Sequence, residues 1–386
     1  MKQFLDSSIC RDFRSAINAT PIFWRDERYK GNYSLYCAIM DRMDDSVKYL
    51  NDHSELPKTE TDFLVFIMYT CMVLDAIKEL QRTLHFHNKY DDKTSDDAYI
   101  YFKNLCKESL KLEDDNCPTD EQFFQYFRSL AMAHPFETSR VKFLKENKET
   151  QYSPWPIIND SLSRKPFVGI RIYSNKVDDI KDLRFPFSLL KDYINSRFQL
   201  MRLAMESIKT IVNNQLKIWK SNKISVNSDP IETLKEISET LKIRFQETSY
   251  IEDLTTTLNT ESTNHANNDL IHKFKNNLIS KIPNIVESVN NLDYNTMTNI
   301  IWDNLDVRPS DMHEMFHYRC EKIFGSLSSY GTGDPWGIDQ LHAFIRDFSH
   351  KWVVIDSEKM SNDEIILLVR TACYAEWDSQ IHSNKQ

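Results

Sequence analysis

The sequence predicts a mainly α-helical protein, with an N-terminal antiparallel helical bundle followed by a mostly helical C-terminal domain that carries a small β-hairpin. Only 6 glycines and 12 prolines occur in 386 residues, which leaves few residues suited to tight turns. Leu, Lys, Glu and Ile are abundant, and the first three favour helices. Apolar residues recur at helical spacing in segment after segment, so long helices joined by polar loops are expected.

Three helices are predicted before the most informative segment. The first, over about residues 33–50, has apolar side chains every four positions. The second begins after Thr59, whose side chain is expected to cap the amides while Asp62 favours the first turn, and it continues to about Leu84. The third covers about residues 97–110 and ends in a segment containing Pro118.

The fourth helix has the clearest limits. Thr119 and Gln122 form a T-x-x-Q capping box, which marks its beginning. Pro135 marks its end, because a proline disfavours helical geometry in the residue before it, here His134. These four helices define a predicted bundle domain over residues 1–148.

The remaining residues, 149–386, are assigned to the C-terminal domain. A segment rich in Pro, Ser, Asn and Trp at 146–163 indicates the boundary. Val168, Ile170 and Ile172 alternate with other residues as in a half-buried strand, and residues 155–158 are expected to pair with it in a hairpin. A long helix is predicted at about residues 186–220, and a flexible polar loop at 255–268. Five further helices are expected near residues 230–247, 268–291, 310–326, 336–351 and 362–377.

Composition limits the function. A formal charge of −9 and a pI near 5.7 argue against a protein whose whole surface binds nucleic acid, so any such site must be local. The 7 cysteines form no C-x-x-C pair, which favours reduced thiols and a cytoplasmic location. Neither a signal peptide nor a membrane-spanning segment is predicted, since the longest apolar run covers about 12 residues.

The sequence Arg128-Ser-Leu-Ala-Met-Ala-His134 places an arginine and a histidine on the fourth helix. Six positions on a straight helix turn about 600°, so the two side chains would point roughly 120° apart. They converge only if the helix loosens at its end, and Pro135 supplies a reason for such loosening.

This segment resembles the HEPN superfamily, whose ribonuclease members carry an R-x4-6-H motif on a late helix of a small helical domain. The resemblance covers the architecture of about residues 1–145 together with Arg128 and His134. The position after the arginine is commonly Asn, Asp or His in the family and is Ser129 here, so Ser129 is assigned to substrate binding. Family membership implies a homodimer whose two Arg/His sets share one cleft, and cleavage that leaves a cyclic phosphate.

The chemistry expected of such a site needs no metal and no cofactor. His134 would act as general base on an RNA 2′-hydroxyl or as acid toward the leaving 5′-oxygen. Arg128 would donate to the phosphate oxygens as charge builds on them. The resemblance further suggests a toxin or phage-defence effector, with an antitoxin or defence-system protein as partner.

Alternatives exist for this motif. If the motif has only a structural role, Arg128 would form a surface ion pair and His134 would be a favourable cation at a helix end. A second loose match, Arg82-Thr-Leu-His-Phe-His87, ends the second helix without a proline. Four residues near 220 place basic groups around an aromatic ring as an RNA-contacting surface would, namely Lys217, Trp219, Lys220 and Lys223.

A competing motif lies in the C-terminal domain. Residues 313–317 spell H-E-x-x-H, in which His313 and His317 would hold zinc and Glu314 would serve as general base of a peptidase. Charged neighbours lie on both sides, and nothing selects a third ligand among Asp339, Asp347 and Glu358. The sequence therefore predicts an endoribonuclease first, a zinc peptidase second, and a non-catalytic helical interaction module third.

Overall fold

The structure is a computed structural model that describes residues 3–136, 149–158, 166–176, 180–309, 314–327 and 334–383. It confirms the mainly helical fold class with a small antiparallel sheet. Within the described residues the α-helices are α1 Ser8–Asn18, α2 Ile22–Arg25, α3 Tyr33–Asp52, α4 Glu60–Leu84, α5 Lys103–Leu110, α6 Asp120–Arg128, α7 Phe187–Phe198, α8 Met201–Ser221, α9 Pro230–Ile243, α10 Ser249–Asn259, α11 Asn268–Asn290, α12 Tyr294–Leu305, α13 Glu314–Leu327, α14 Pro335–Asp347 and α15 Asn362–Ser383. The strands are β1 Gln151–Tyr152, β2 Pro156–Ile158, β3 Phe167–Ser174 and β4 Lys181–Pro186.

The chain divides into two compact units, Met1–Asn214 and Gln215–Gln386. The domain boundary predicted from the sequence lies between residues 148 and 149, whereas the structure divides the chain after Asn214. The difference arises because the four strands pack on the helices of the first unit, so their apolar side chains belong to its core.

The sheet is built around β3. β4 pairs with it in antiparallel register, with Ile170 opposite Leu183. β2 pairs antiparallel as predicted, with Ile157 opposite Gly169, and β1 pairs with the end of β3. The predicted hairpin is thus part of a four-stranded sheet.

One face of this sheet packs on α6 through aromatic rings. Phe185 of β4 makes edge-to-face contacts with Phe102, Phe123 and Phe127, with ring centroids 5.0–6.1 Å apart. All four rings are buried, so they contribute large apolar areas and geometry-specific contacts to the core. The opposite face of the sheet is consequently turned outward.

Helix beginnings agree best with the sequence. Thr59 and Thr119 each accept a hydrogen bond from the backbone amide three residues later, and each forms the capping box. The predicted third helix is shorter, because a 3-10 turn at Asp96–Tyr99 precedes α5. The predicted flexible loop at 255–268 was wrong in part, since α10 extends through its first residues.

The predicted long helix at 186–220 is interrupted. Its first residue ends β4, and α7 and α8 follow as separate helices. At the break the amide of Leu200 donates to the carbonyl of Arg197 at 3.0 Å, an i−3 contact that tightens the turn. Leu200 is buried at this point, so packing fixes the break.

The second unit has its own apolar core and a buried ion-pair cluster. Arg370 of α15 donates to Asp253 of α10 at 2.7 and 2.9 Å and to Asp306 after α12 at 2.8 Å. Its guanidinium also lies 5.2 Å from the ring centroid of Phe324 in α13. One arginine therefore joins four segments of this unit.

In the part of the chain that the structure describes, no helix combines the length and the apolar character needed to cross a membrane.

The close packing of β3 against β4 yields a prediction. A Cβ at Gly169 would overlap the carbonyl oxygen of Leu183 and lie 3.0 Å from the Cα of Arg184. Gly169→Ala is expected to lower the free energy of unfolding by about 1–3 kcal/mol, because backbone atoms have to move apart. Chemical denaturation measures the loss. Gly31→Ala is the matched control, since nothing lies within 4 Å of its Cβ position, and an equal loss in both variants would contradict the packing argument.

Candidate functional site

The helix that carries the predicted site changes geometry at its end. After Arg128, residues Ser129–Ala133 form a π-helical turn, closed by a 2.6 Å hydrogen bond from the His134 amide to the Ser129 carbonyl. His134 itself has non-helical angles, φ −143° and ψ 61°, as expected for the residue before Pro135. The helix therefore loosens where the sequence indicated, and π turns of this kind occur frequently at functional sites.

Arg128 is half-buried and directed back toward neighbouring helices. Its Nε donates to Oε1 of Gln125 at 2.6 Å, and its Nη1 lies 3.7 Å from the sulfur of Cys71 in α4. Among the described residues it forms no ion pair with a carboxylate. No carboxylate within the described ranges therefore cancels its positive charge directly, and the surface ion pair considered from the sequence is not found there.

Gln125 is itself held by Glu121. The amide of Gln125 donates to Glu121 at 2.9 Å, and the same carboxylate accepts from Lys78 at 2.5 Å and from the Tyr193 hydroxyl at 2.7 Å. Burial alone would raise the pKa of Glu121, but the Lys78 ammonium and these hydrogen bonds hold its pKa below the usual value. This chain of contacts orients Gln125, which in turn orients the guanidinium.

His134 lies on the surface, and no side chain of the described residues hydrogen-bonds its ring. No contact joins it to Arg128 within one chain, so the structure does not bring the two predicted catalytic side chains together. Ser129, assigned to substrate binding, is only 5% exposed. The π turn buries this side chain, and its assignment to substrate binding stays a prediction.

The sheet is tied directly to the turn that holds His134. The Ser153 amide, just after β1, donates to the carbonyl of Pro135 at 2.7 Å. The buried Tyr126 hydroxyl of α6 donates to Gln151 of β1 at 2.7 Å. Two bonds thus fix the position of β1 relative to the end of the helix.

The outward face of the sheet combines aromatic rings with arginines, and we call it the aromatic–arginine face. Arg171 lies 5.5 Å from the ring centroid of Trp155, and Arg184 lies 5.4 Å from that of Phe167. Both arginines hydrogen-bond Asp182, Arg171 through two atoms at 2.7 and 3.0 Å. The face consists of Tyr152, Trp155, Phe167, Arg171, Tyr173, Asp182 and Arg184.

These rings are accessible. Trp155 is 41% exposed, and Tyr152 and Tyr173, which lie opposite each other in the register, are each 36% exposed. The alternation that predicted β3 already contained this information, because the positions that alternate with its buried valine and isoleucines are Phe167, Gly169, Arg171 and Tyr173. The sequence did not predict that these side chains lie close to residues of β1, β4 and the loop after β1.

Two weaker sequence hypotheses concern other basic residues. Arg82 and His87 are both exposed, and Arg82 pairs with Glu79 at 2.7 Å on its own helix. Trp219, considered as part of an RNA-contacting surface, is only 6% exposed, and its ring packs edge-on against Phe245. That hypothesis is corrected, because a buried indole offers no face for a base to stack on.

The H-E-x-x-H motif is only partly described. His313 lies outside the described residues, as does the side chain of Glu314, whereas His317 is half-buried on α13. Asp347, one candidate third ligand, pairs with Arg319 and Arg346 at 3.4 and 2.7 Å. Among the described residues no group of three His, Cys, Asp or Glu side chains is arranged to hold a metal ion.

Comparison of the chain with known proteins gives no match to any family model, to any curated protein or to any solved structure.

The contacts of Glu121 predict a pH-dependent effect on stability. A carboxyl whose pKa is lowered by folding stabilises the fold above its unfolded pKa, near 4.5 for a glutamate, and this stabilisation is lost as the pH falls through the folded pKa. Glu121→Gln is expected to lower the free energy of unfolding by about 1–2 kcal/mol at pH 7 and by clearly less near pH 3. Denaturation curves at both pH values measure this.

Glu27→Gln is the matched control, because Glu27 is 81% exposed and pairs only with Lys30 at the surface. It is expected to change stability little at either pH. An equal loss for Glu121→Gln at pH 3 and pH 7 would show that the charge of Glu121 does not matter.

Proposed function

We propose that the chain is a metal-independent endoribonuclease that uses His134 and Arg128, with single-stranded RNA held on the aromatic–arginine face. The observation that carries this proposal is the direct hydrogen bond from Ser153 to Pro135. It joins the residue after Tyr152 of this face to the residue after the exposed His134, which supports a common site for binding and cleavage. Both features lie in the first compact unit.

The chemistry of the face fits unpaired RNA. Bases splayed from a single strand stack on aromatic rings and on guanidinium planes, and every base has such a face to offer. The Arg171 guanidinium already lies over the Trp155 ring, and the Arg184 guanidinium lies over the Phe167 ring. Both arginines share the one carboxylate of Asp182, so the three groups carry a net positive charge available to phosphates.

His134 supports a proton-transfer role because it is exposed and an imidazole can both accept and donate a proton. Arg128 supports a charge-stabilising role because no described carboxylate pairs with it, so the guanidinium keeps hydrogen-bonding capacity for a phosphate. Since the two side chains do not meet within one chain, we propose that a second copy completes the cleft. A toxin or phage-defence role, with a protein partner, would follow from this activity.

The first test removes the proposed catalytic groups. Arg128→Ala and His134→Ala are each expected to lower the rate of RNA cleavage by about 10²–10⁴-fold, because one removes charge stabilisation and the other proton transfer. Cleavage of a labelled single-stranded RNA by purified protein, in the presence of a chelator, measures the rate.

Arg82→Ala and His87→Ala provide matched controls, because they remove the same residue types from the other loose motif. Both should leave cleavage unchanged. Cleavage that survives the loss of His134, or disappears with the chelator, would refute the proposal, and loss of peptidase activity in Glu314→Ala would instead favour the zinc enzyme.

The second test concerns the face. Trp155→Ala is expected to raise KM for RNA by roughly 5–100-fold with little change in kcat, because stacking on one ring contributes about 1–3 kcal/mol. Arg184→Gln is expected to reduce the salt dependence of binding, with a slope smaller by about 0.7 if one phosphate contact is lost. Trp336→Ala is the control, since Trp336 is 48% exposed in the other unit, and an equal effect there would argue against the face.

A further inference from the structure

The second unit contains a cavity of about 600 Å³, and His317 of the H-E-x-x-H segment is one of its lining residues. Four segments form its walls: α10, the end of α12 with the residues after it, α13 and α15. This volume lies within the range of sites that bind small molecules. The cavity belongs wholly to residues 249–373 and is separate from the site proposed for RNA.

The charge of the lining is strongly negative. Five carboxylates contribute to it, and only two guanidiniums oppose them. The carboxylates are those of Glu252, Asp253, Asp306, Glu321 and Asp363, and the guanidiniums are those of Arg308 and Arg370. The formal balance of these side chains is therefore three negative charges, which favours a cationic ligand over an anionic one.

The arginines are already engaged with carboxylates of the lining. Arg370 is 5% exposed as a side chain and holds Asp253 and Asp306, and Arg308 lies 3.5 Å from Glu321. The Arg370 guanidinium is therefore not presented to an incoming anion, whereas that of Arg308 is partly exposed. Glu252 pairs with Lys242 only at 4.0 Å, and Asp363 forms no ion pair within the described ranges, so both carboxylates are open to a ligand charge.

Aromatic rings in the lining also favour a cationic ligand. Tyr250 and Trp302 meet edge to face, with centroids 6.4 Å apart and planes at 88°. Trp302 is 43% exposed, and no lysine or arginine of the described chain lies over either ring. A tryptophan face is the strongest aromatic acceptor for a cation, and such rings beside carboxylates are the means by which proteins recognise ammonium groups.

The apolar part of the lining comes from α13 and α15. Phe316, Phe324 and Ile366 belong to it, and Phe316 packs against the buried rings of α14. A ligand that fits both parts has a charged end and an apolar body. We propose that this cavity binds a small amphipathic organic cation, a protonated or quaternary amine carried on an apolar chain, with its charged end between Trp302, Tyr250 and the carboxylate of Glu252.

The experiment compares three probes of equal chain length on the full-length protein by isothermal titration calorimetry. Hexyltrimethylammonium is expected to bind saturably below about 1 mM, and hexanol and hexanoate at least roughly tenfold more weakly. Equal binding of hexanol would show an apolar pocket without charge recognition, and tighter binding of hexanoate would show an anion site. Absence of saturable binding of hexyltrimethylammonium near 1 mM would also overturn the proposal.

Variants locate the binding. Trp302→Ala and the double variant Glu252→Gln with Asp363→Asn are each expected to weaken hexyltrimethylammonium binding by roughly fivefold or more, because they remove the ring face and the charges. Their side chains are exposed in part, so the fold is expected to persist, and circular dichroism checks this. Trp336→Ala is the matched control outside the lining. Unchanged affinity in the Trp302 and carboxylate variants would place binding elsewhere and refute the assignment.

A chemical footprint gives a second readout. Cys320 lines the cavity and is half-buried, whereas Cys37 is half-buried in the first unit. A hydrogen bond with Cys320, together with burial, raises the pKa of Cys373, so that thiol is expected to react slowly. Bound hexyltrimethylammonium should slow alkylation of Cys320 and leave that of Cys37 unchanged, and equal rates at Cys320 with and without the probe would contradict occupancy of the cavity.

Discussion

Two adjacent carboxylates at the beginning of α6 hold the first unit together. Asp120, fully buried, accepts from the backbone amides of Tyr101 and Phe102 at 2.8–3.1 Å and lies 3.7 Å from Arg197 of α7. Burial raises the pKa of Asp120, and the amides and Arg197 oppose that rise. Glu121 binds α4 and α7. The direction of α6, and therefore everything at its far end, depends on this pair.

The same pair explains which parts of the fold the sequence could predict. Capping boxes are local, so Thr59 and Thr119 marked helix beginnings correctly. The turn before α5 is not local, because it forms where Asp120, about twenty positions later, supplies acceptors for its amides. The break after α7 likewise depends on burial of Leu200. Helix content could thus be predicted, whereas the interruptions required tertiary contacts.

The same distinction between local and tertiary effects applies to the candidate site. Pro135 made the irregular end at His134 predictable, since its effect on the preceding residue is a property of the backbone. The partners of Arg128 come from Cys71, distant in sequence, and from Gln125, which Glu121 orients. Spacing alone also suggested that RNA bases could stack on Trp219, but its ring is buried. A motif therefore identifies candidate side chains but not the direction in which they point.

Net charge was the least informative global property of this chain. A total of −9 argues against a wholly basic surface, yet charges more than about 8 Å apart are largely screened at physiological ionic strength. Within that distance, Arg171 and Arg184 outnumber Asp182 on the sheet, whereas carboxylates outnumber guanidiniums around the cavity. A phosphate and an ammonium group each respond to the local balance. The acidic whole is thus compatible with an RNA-binding surface in one unit and a cation site in the other.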